Sequence, residues 1–557
     1  MTSTPLDPDL LHRVAAWTEQ DPDPQTRQQL AVLLSAAAEG SDSAAAELAD
    51  AFAGRLQFGT AGLRGALGPG PNRMNRVVVG QAAAGLASYL LGQGLAGGRV
   101  IIGYDARHNY EVFSRDTAEI MAGAGFGAMI TAGPLPTPAV AFGIGHFGCV
   151  AGVVVTASHN PPQDNGYKVY LGDGSQIVPP ADADISARID EVARHRLSDL
   201  SRSPVYTTLD DQLVEAYLDR VATLVPPEAP RDVRWVYTPL HGVGGPLVEQ
   251  AVARAGFPGG VVVAEQAAPD PDFPTVSFPN PEEPGAIDLA LARAAEIGAD
   301  VVVANDPDAD RCAVAAVVDS NWRMLSGDEL GALLGEDALR RGVQGTYACS
   351  IVSSSLLEVM ATAHGQPFVF TLTGFKWIGR VPGLAFGYEE AIGYCVDPEA
   401  VPDKDGISAL VRVLSLTAEL KAAGRTLADR LDEIAARYGV YETDQLSVRV
   451  ADLELITAAM ARLRADPPAE LDGEPVSVVD LASGTRELPA TDALLISGES
   501  VKVVVRPSGT EPKLKCYLEA RRPPNSSLPL AEERRRARAR LARIRGEMSV
   551  VLGFGPD

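Results

Sequence analysis

The chain has 557 residues, 46% hydrophobic and 22% charged, a globular composition that excludes disorder as the main state. Its 48 Lys and Arg against 72 Asp and Glu leave a formal charge of −24. That balance argues against wrapping nucleic acid or lying on an anionic membrane, while an anionic small molecule needs only a local gathering of cations.

Taken in chain order, the N-terminal MTSTPLDPDLLHRV has acids early and no apolar h-region. No signal peptide is expected, and a cytoplasmic location follows. Cys149, Cys312, Cys349, Cys395 and Cys516 are scattered and form no CxxC, which suits a reducing compartment and argues against a disulfide framework or a thiolate zinc site. Ala-rich helical spacing covers 79–91, and a β-branched strand pattern covers 99–105. The apolar stretch 139–156 holds His146 and four glycines and runs into a polar loop, so it reads as a buried strand with its neighbours rather than a membrane helix. Strands follow at 152–156, 233–238 and 299–304, with a helix at 286–297 and a Pro-rich ordered loop at 269–284. Beyond them come a helix at 327–341, strand-like sequence at 445–450 and a strand at 501–505. The run 532–545 carries seven arginines and reads as a solvated helix, with a nucleic-acid patch as the alternative.

Strand then helix, repeated, predicts α/β architecture with buried sheets and with binding groups in loops at the carboxyl ends of strands. Boundary-like stretches at 200–209, 319–323 and 435–443 divide the chain into 1–205, 206–320, 321–440 and 441–557.

Four loops carry chemistry. Thr156-Ala157-Ser158-His159-Asn160-Pro161 follows a valine strand, where an exposed Ser can serve as nucleophile or phosphoryl carrier. The elbow pattern G-x-S-x-G is absent, and an Asn-Pro turn is the plainer alternative. Asn305-Asp306-Pro307-Asp308-Ala309-Asp310-Arg311 sets three carboxylates at alternate positions, able to converge on one hard cation. It is not an EF-hand, since Arg311 and Val317 occupy the Gly and closing Glu positions. Gly387-Tyr388-Glu389-Glu390-Ala391-Ile392-Gly393 offers paired carboxylates for sugar hydroxyls, or merely an acidic helix start. Arg506-Pro507-Ser508-Gly509-Thr510-Glu511-Pro512-Lys513 ends a strand with Arg, hydroxyls and Gly-freed N–H groups suited to phosphate, or is an ordinary turn.

In this order and spacing the four loops resemble the α-D-phosphohexomutase superfamily, of the phosphoglucomutase and phosphomannomutase type, from Phe58 to about Tyr517. The pair T-A-S-H-N-P and D-P-D-A-D-R is highly specific. The forms G-Y-E-E-A-I-G and T-G-F-K-W-I-G are most similar to the phosphoglucomutase and phosphopentomutase branch. The resemblance implies four domains around a central cleft: three related α/β domains with mixed sheets, plus a smaller C-terminal α+β domain.

It also implies roles. Ser158 would be the phosphoserine that passes its phosphoryl to a sugar monophosphate through a bisphosphorylated intermediate. Mg²⁺ would be held by Asp306, Asp308, Asp310 and the Ser158 phosphate, with Arg311 adding charge. Lys168 would be the general acid/base, its pKa lowered by burial beside cations, with His159 as rival, expected to point away and orient the loop, and His241 as a weaker one. Glu389 and Glu390 would hold sugar hydroxyls. Arg506, Ser508, Gly509 and Thr510 would hold the non-reacting phosphate, and Arg64, Arg107, Lys376, Arg380 and Lys513 would add positive charge. The expected activity is an intramolecular phosphotransfer between glucose 1-phosphate and glucose 6-phosphate, with glucose 1,6-bisphosphate as activator. Pentose or mannose phosphates, a silent sugar-phosphate-binding protein and a metal phosphatase are the alternatives.

Overall fold

The computed structural model describes residues 7–59, 62–450, 453–508, 513–524 and 527–554. They form two compact units, one of residues 1–315 and 397–415, the other of residues 316–396 and 416–557.

The first unit opens with three helices, Pro8–Gln20, Pro24–Ala38 and Asp42–Ala51. Each begins behind an oxygen cap (Asp7, Asp23 and Ser41), and the first two place Pro in the first turn, where its missing N–H costs nothing. Their apolar faces, Leu10, Val14, Trp17, Leu30 and Leu48, join the core of the first sheet.

That mixed sheet runs Leu63–Ala66, Asp164–Leu171, Ala151–Val155, Arg99–Tyr104, Gly127–Ile130, Thr207–Thr208. The all-buried strand Ala151–Val155 lies parallel to Arg99–Tyr104 and antiparallel to Asp164–Leu171. In the next sheet of the unit, Val301–Ala304 lies parallel to Trp235–Thr238 and antiparallel to Ala313–Val318. The segment 397–415 belongs to this unit because it is tied down by buried polar contacts. Asp405 accepts from the Tyr217 hydroxyl at 2.8 Å and from the amides of Ile407 and Ser408, and Arg220 grips Asp397 with two 2.6 Å bonds.

In the second unit, Thr346–Ser350 lies parallel to both Phe368–Thr371 and Leu384–Glu389, and the latter turns back antiparallel as Gly393–Cys395. A last, wholly antiparallel sheet runs Val440–Arg449, Lys513–Arg522, Val501–Pro507, Leu494–Ser497, Ser477–Asp480. The helices Leu453–Ala465 and Leu530–Val551 contribute Met460, Leu463, Ile544 and Met548 to its core. The architecture is α/β with a smaller C-terminal α+β part.

The stretch 139–156 is a helix, Thr137–Phe147, a left-handed turn at Gly148 and the strand Ala151–Val155. No helix of the described residues is long and apolar enough to cross a membrane. The strand expected at 445–450 starts five residues earlier, at Val440. It is an edge strand packed on one side, so its polar positions hide the strand from an apolar pattern. The five cysteines are free and buried.

Candidate active site

Ser158 stands in the loop that leaves the carboxyl end of the central strand Ala151–Val155, the position at which such sheets expose functional groups. Its φ of 53° is left-handed, a conformation that costs a non-glycine residue on the order of 1 kcal/mol and persists only if the surroundings enforce it. They do so by a buried chain of bonds. The Ser158 amide donates to Thr156 Oγ1 at 2.8 Å, and Thr156 Oγ1 donates to Asp105 Oδ2 at 2.6 Å. The Arg107 guanidinium then donates to four loop carbonyls: Ser158 and Asn160 at 2.6 Å, Pro161 at 2.9 Å and Asp164 at 3.1 Å. Arg107 is 1% exposed and lies 3.5 Å from Asp105. It is a clamp on the loop backbone, not the added substrate charge expected from the sequence, because both terminal guanidinium nitrogens are spent on carbonyls and Nε is turned to Asp105. Arg64, on the edge strand Leu63–Ala66, reaches the Asn160 side chain at 3.1 Å.

The triple-aspartate loop leaves the carboxyl end of Val301–Ala304. Asp306, Asp308 and Asp310 are each at most 1% exposed, and one carboxylate oxygen from each lies within 4.8 Å of the others. Close backbone approach sets the loop: a Cβ on Gly406 would fall 2.2 Å from the Arg311 carbonyl, and one on Gly242 2.3 Å from Pro307 Cα. The two loops meet. Ser158 Oγ donates to Asp306 Oδ2 at 2.8 Å, and Lys168 Nζ donates to Asp308 and Asp310 at 2.7 Å each. The Arg311 amide donates to Asp306 Oδ1 at 3.1 Å, and its guanidinium lies 3.8 Å from Asp306.

Two expectations change here. Burial does disfavour the charged form of Lys168, but the Asp308 and Asp310 carboxylates outweigh it and hold the ammonium above its ordinary value, not below. His159 does not point away: its Nδ1 lies 3.1 Å from Ser158 Oγ. Desolvation, with Arg311 and Arg64 nearby, holds it well below the usual histidine range and therefore neutral. His241 instead contacts Thr275 at 2.8 Å. Burial and the other two aspartates push Asp306 up, whereas Lys168, Lys404 and Arg311 overcome burial and pull Asp310 down.

The second unit gathers the other set. Glu389 Oε1 accepts from the Gly374 amide at 2.6 Å, which joins the acidic loop to the turn carrying Lys376 in the short helix Phe375–Ile378. Glu390 Oε2 accepts from Ser350 Oγ at 3.0 Å and Ser353 Oγ at 3.2 Å. Burial, then Glu389 and Asp328, push its carboxyl up to about 7. Arg506 lies on the strand Val501–Pro507, and burial, then Glu390, push the Tyr517 hydroxyl up while the Arg506 charge partly offsets them. The Ser508 amide donates to the Lys513 carbonyl at 2.8 Å. Gly509 and Thr510 lie outside the described residues.

Family models describe this arrangement domain by domain. Phosphoglucomutase/phosphomannomutase α/β/α domains I, II and III match residues 55–196, 215–318 and 326–438, and the C-terminal domain of the same series matches 446–536. The chain belongs to the phosphoglucomutase/phosphomannomutase family. The Haemophilus influenzae protein named "Probable phosphomannomutase" is 50% identical over 455 residues, spanning 80% of this chain and 93% of its own. Human phosphopentomutase is 35% identical over 578 residues, 92% of each chain. The crystal structure of a phosphoglucomutase/phosphomannomutase family protein from Burkholderia thailandensis shares the fold, with a TM-score of 0.66 at 21% identity over 88% of this chain and 97% of that one. This member of the α-D-phosphohexomutase superfamily is accordingly a phosphomutase, an intramolecular phosphotransferase.

Several residues of this phosphomutase's site were not legible in its sequence. Thr137 Oγ1 donates to Asp308 Oδ2 at 2.5 Å while its amide donates to the Asp308 carbonyl at 2.9 Å. Lys404 lies 3.4 Å from Asp310. Their only local signals are the Pro-flanked Leu135-Pro136-Thr137-Pro138 and the Asp-flanked Asp403-Lys404-Asp405-Gly406. The triad fits a hard divalent cation. Its donors are all carboxylate oxygens, and Asp308 Oδ1 and Asp310 Oδ1 are buried with no hydrogen-bond donor, a costly state that a cation would relieve.

Proposed function

We propose that the chain interconverts glucose 1-phosphate and glucose 6-phosphate through a phosphoserine at Ser158. The observation that carries this reading is the Ser158 hydroxyl, held at left-handed φ and directed at Asp306 inside a buried ring of three carboxylates and Lys168.

In the forward half-reaction the P–Oγ bond of phosphorylated Ser158 breaks as a bond forms between that phosphorus and the free hydroxyl oxygen of the sugar monophosphate. The hydroxyl proton passes to Lys168. In the return half-reaction the other phosphoryl of the bisphosphorylated sugar moves to Ser158 Oγ, and Lys168 returns the proton to the departing sugar oxygen. His159, kept neutral, aligns Ser158 Oγ. A divalent cation, Mg²⁺ in this reading, held by Asp306, Asp308 and Asp310 would neutralise charge on the moving phosphoryl and take up the carboxylate charge that keeps Lys168 protonated. Arg311 and Arg64 add fixed positive charge. Glu389 and Glu390 accept from sugar hydroxyls, while Lys376, Arg506, Ser508, Gly509 and Thr510 hold the phosphate that stays behind. Domain boundaries fall near 205, 320 and 440, and glucose 1,6-bisphosphate serves as activator by reloading Ser158.

The match to phosphoglucomutase/phosphomannomutase domains along the chain supports hexose phosphates. A pentose phosphate is the second reading, favoured by 35% identity to human phosphopentomutase across 92% of both chains. A panel of glucose, mannose, ribose and deoxyribose 1-phosphates, assayed with and without the matching bisphosphate, separates the two. Release of inorganic phosphate in place of the isomer, or near-normal turnover by Ser158→Ala, would refute the mutase assignment.

A further inference from the structure

Three serines in a row, Ser353, Ser354 and Ser355, follow the strand Thr346–Ser350, and each is at most 4% exposed. Buried hydroxyls and amides at the end of a strand need partners, and theirs come from three directions. Ser353 Oγ donates to Glu390 Oε2 at 3.2 Å and accepts from the Glu390 amide at 3.1 Å, so it grips that residue by side chain and backbone at once. Ser350 Oγ lies 2.9 Å from Ser353 Oγ and also donates to Glu390. The Ser354 amide donates to Asp328 at 2.7 Å.

The third direction is the C-terminal sheet. Lys502 Nζ donates to the Ser353 carbonyl at 2.6 Å and lies 4.9 Å from the Phe370 ring centre. The Ser355 amide donates to Glu519 Oε2 at 2.6 Å. Lys502 and Glu519 face each other across the antiparallel pair Val501–Pro507 and Lys513–Arg522, and both are buried. Glu519 also accepts from Arg521 Nε at 2.6 Å, and a desolvated Lys and Glu that each bond a backbone group of one loop fix its position from the C-terminal sheet. The strand also has a direction. With a side-chain period of two, Lys502, Val504 and Arg506 share a face. Val504 packs with Ile351, Val352 and Tyr517 in one cluster. One rigid strand therefore begins at the serine loop and ends at the arginine.

We propose that Ser353 and Lys502 are positioning residues that fix the Glu390 carboxylate relative to Arg506, so that the separation between the sugar-hydroxyl acceptor and the phosphate-binding arginine is built into this unit. This rests on the proposed roles of Glu390 and Arg506. It extends them by assigning the gauge between them to residues that touch no substrate. Glu390 binds sugar in ground state and transition state alike, so loosening it removes uniform binding and raises KM with kcat nearly unchanged.

The test uses the full-length enzyme and steady-state kinetics with glucose 1-phosphate and saturating glucose 1,6-bisphosphate. Ser353→Ala should raise KM about 10- to 100-fold, the span expected for one hydrogen bond to a buried carboxylate. Ser353→Thr, which keeps the hydroxyl, should restore most of it. Lys502→Met should raise KM in the same direction by way of the Ser353 carbonyl, and a normal KM in this variant would overturn the positioning role of Lys502. Glu390→Gln is the reference, and the double variant with Ser353→Ala should be no worse than Glu390→Gln alone. Normal KM in Ser353→Ala beside a raised KM in Glu390→Gln would overturn the positioning role alone. Normal KM in Glu390→Gln would overturn the sugar-binding role and this inference with it. Equal losses in Ser353→Ala and Ser353→Thr, tracking a fall in the thermal midpoint, would mean a purely structural loop and would also overturn it.

Discussion

Replacing Arg107 separates two readings of a buried cation beside a catalytic loop. As a clamp, its guanidinium supplies donors to the carbonyls of Ser158, Asn160, Pro161 and Asp164 and lies against Asp105. Arg107→Ala leaves those buried acceptors without their donor and leaves Asp105 without its cation. Breaking a buried charge pair costs about 3–5 kcal/mol. Orphaned carbonyls would cost about 1–3 kcal/mol each if none were rescued, but water entering the vacated space restores part of that, so the net loss should stay at about 3–5 kcal/mol. Arg107→Lys keeps one charge yet offers a single nitrogen where two now serve four oxygens, so it should recover only part of the loss.

The second consequence is kinetic. Without the clamp, Ser158 is free to leave its left-handed conformation, and a displacement of about 1 Å at a reacting atom costs roughly a hundredfold in rate. Unfolding by urea, followed beside the rate of Ser158 phosphorylation by glucose 1,6-bisphosphate, reads both effects. The clamp predicts an earlier unfolding transition and slow phosphorylation with little change in KM. A variant with wild-type stability and only a raised KM would show that Arg107 binds substrate and that the loop holds its own shape.

The remaining predictions concern charge. Asp308→Asn should cut kcat by at least about a hundredfold and weaken the response to added Mg²⁺, since it removes charge from the group that would hold the cation; unchanged activity in both the variant and EDTA-treated wild type would make the loop structural. Glu390, pushed up to about 7 from an ordinary 4.5, favours folding while protonated: its contribution is complete below about pH 4.5 and is lost as pH rises through about 7. Glu390→Gln mimics the protonated form, so its stability advantage should open across that window and reach about 3 kcal/mol at pH 8, and parallel wild-type and variant stabilities from pH 5 to 8 would refute this. Arg506→Ala should raise KM about 10- to 100-fold with kcat nearly unchanged, and unchanged KM without leakage of bisphosphate would remove the loop from substrate binding.

What the sequence made legible was local and periodic. The runs Val153-Val154-Val155 and Val301-Val302-Val303 read as buried strands, and Ser158 and the three aspartates stand where those strands stop. The loops could be found because each follows an apolar strand with an abrupt run of polar or charged residues. What stayed hidden is long-range. Lys404 is 94 positions from Asp310, and Lys502 is 149 from Ser353, so no window of sequence holds either pair. Arg107 was visible as a residue but not as a clamp, since donating to main-chain carbonyls leaves no mark on side-chain pattern. The edge strand Val440–Arg449 was shortened in reading because half its surface is polar.

Three of the four strands that end at functional loops share one arrangement. Ala151–Val155, Val301–Ala304 and Leu384–Glu389 each have a parallel neighbour on one side and an antiparallel return strand on the other. The loop between a strand and its antiparallel return must reverse direction within a few residues, which explains the left-handed φ values at Ser158, Ala309 and Ile392, one in each loop. Such a reversal turns backbone groups and short polar side chains outward together from a rigid edge. In an acidic chain this geometry alone would not attract a phosphate. In the first unit the aspartates supply what is missing: by pairing with Lys168 and lying near Lys404, Arg311 and Arg64 they hold cations in a buried place where unpaired cations would be too costly to keep. The carboxylates that would bind the metal are thus also the counter-charges that keep the cations assembled, which is why removing any one of them should disturb both functions at once.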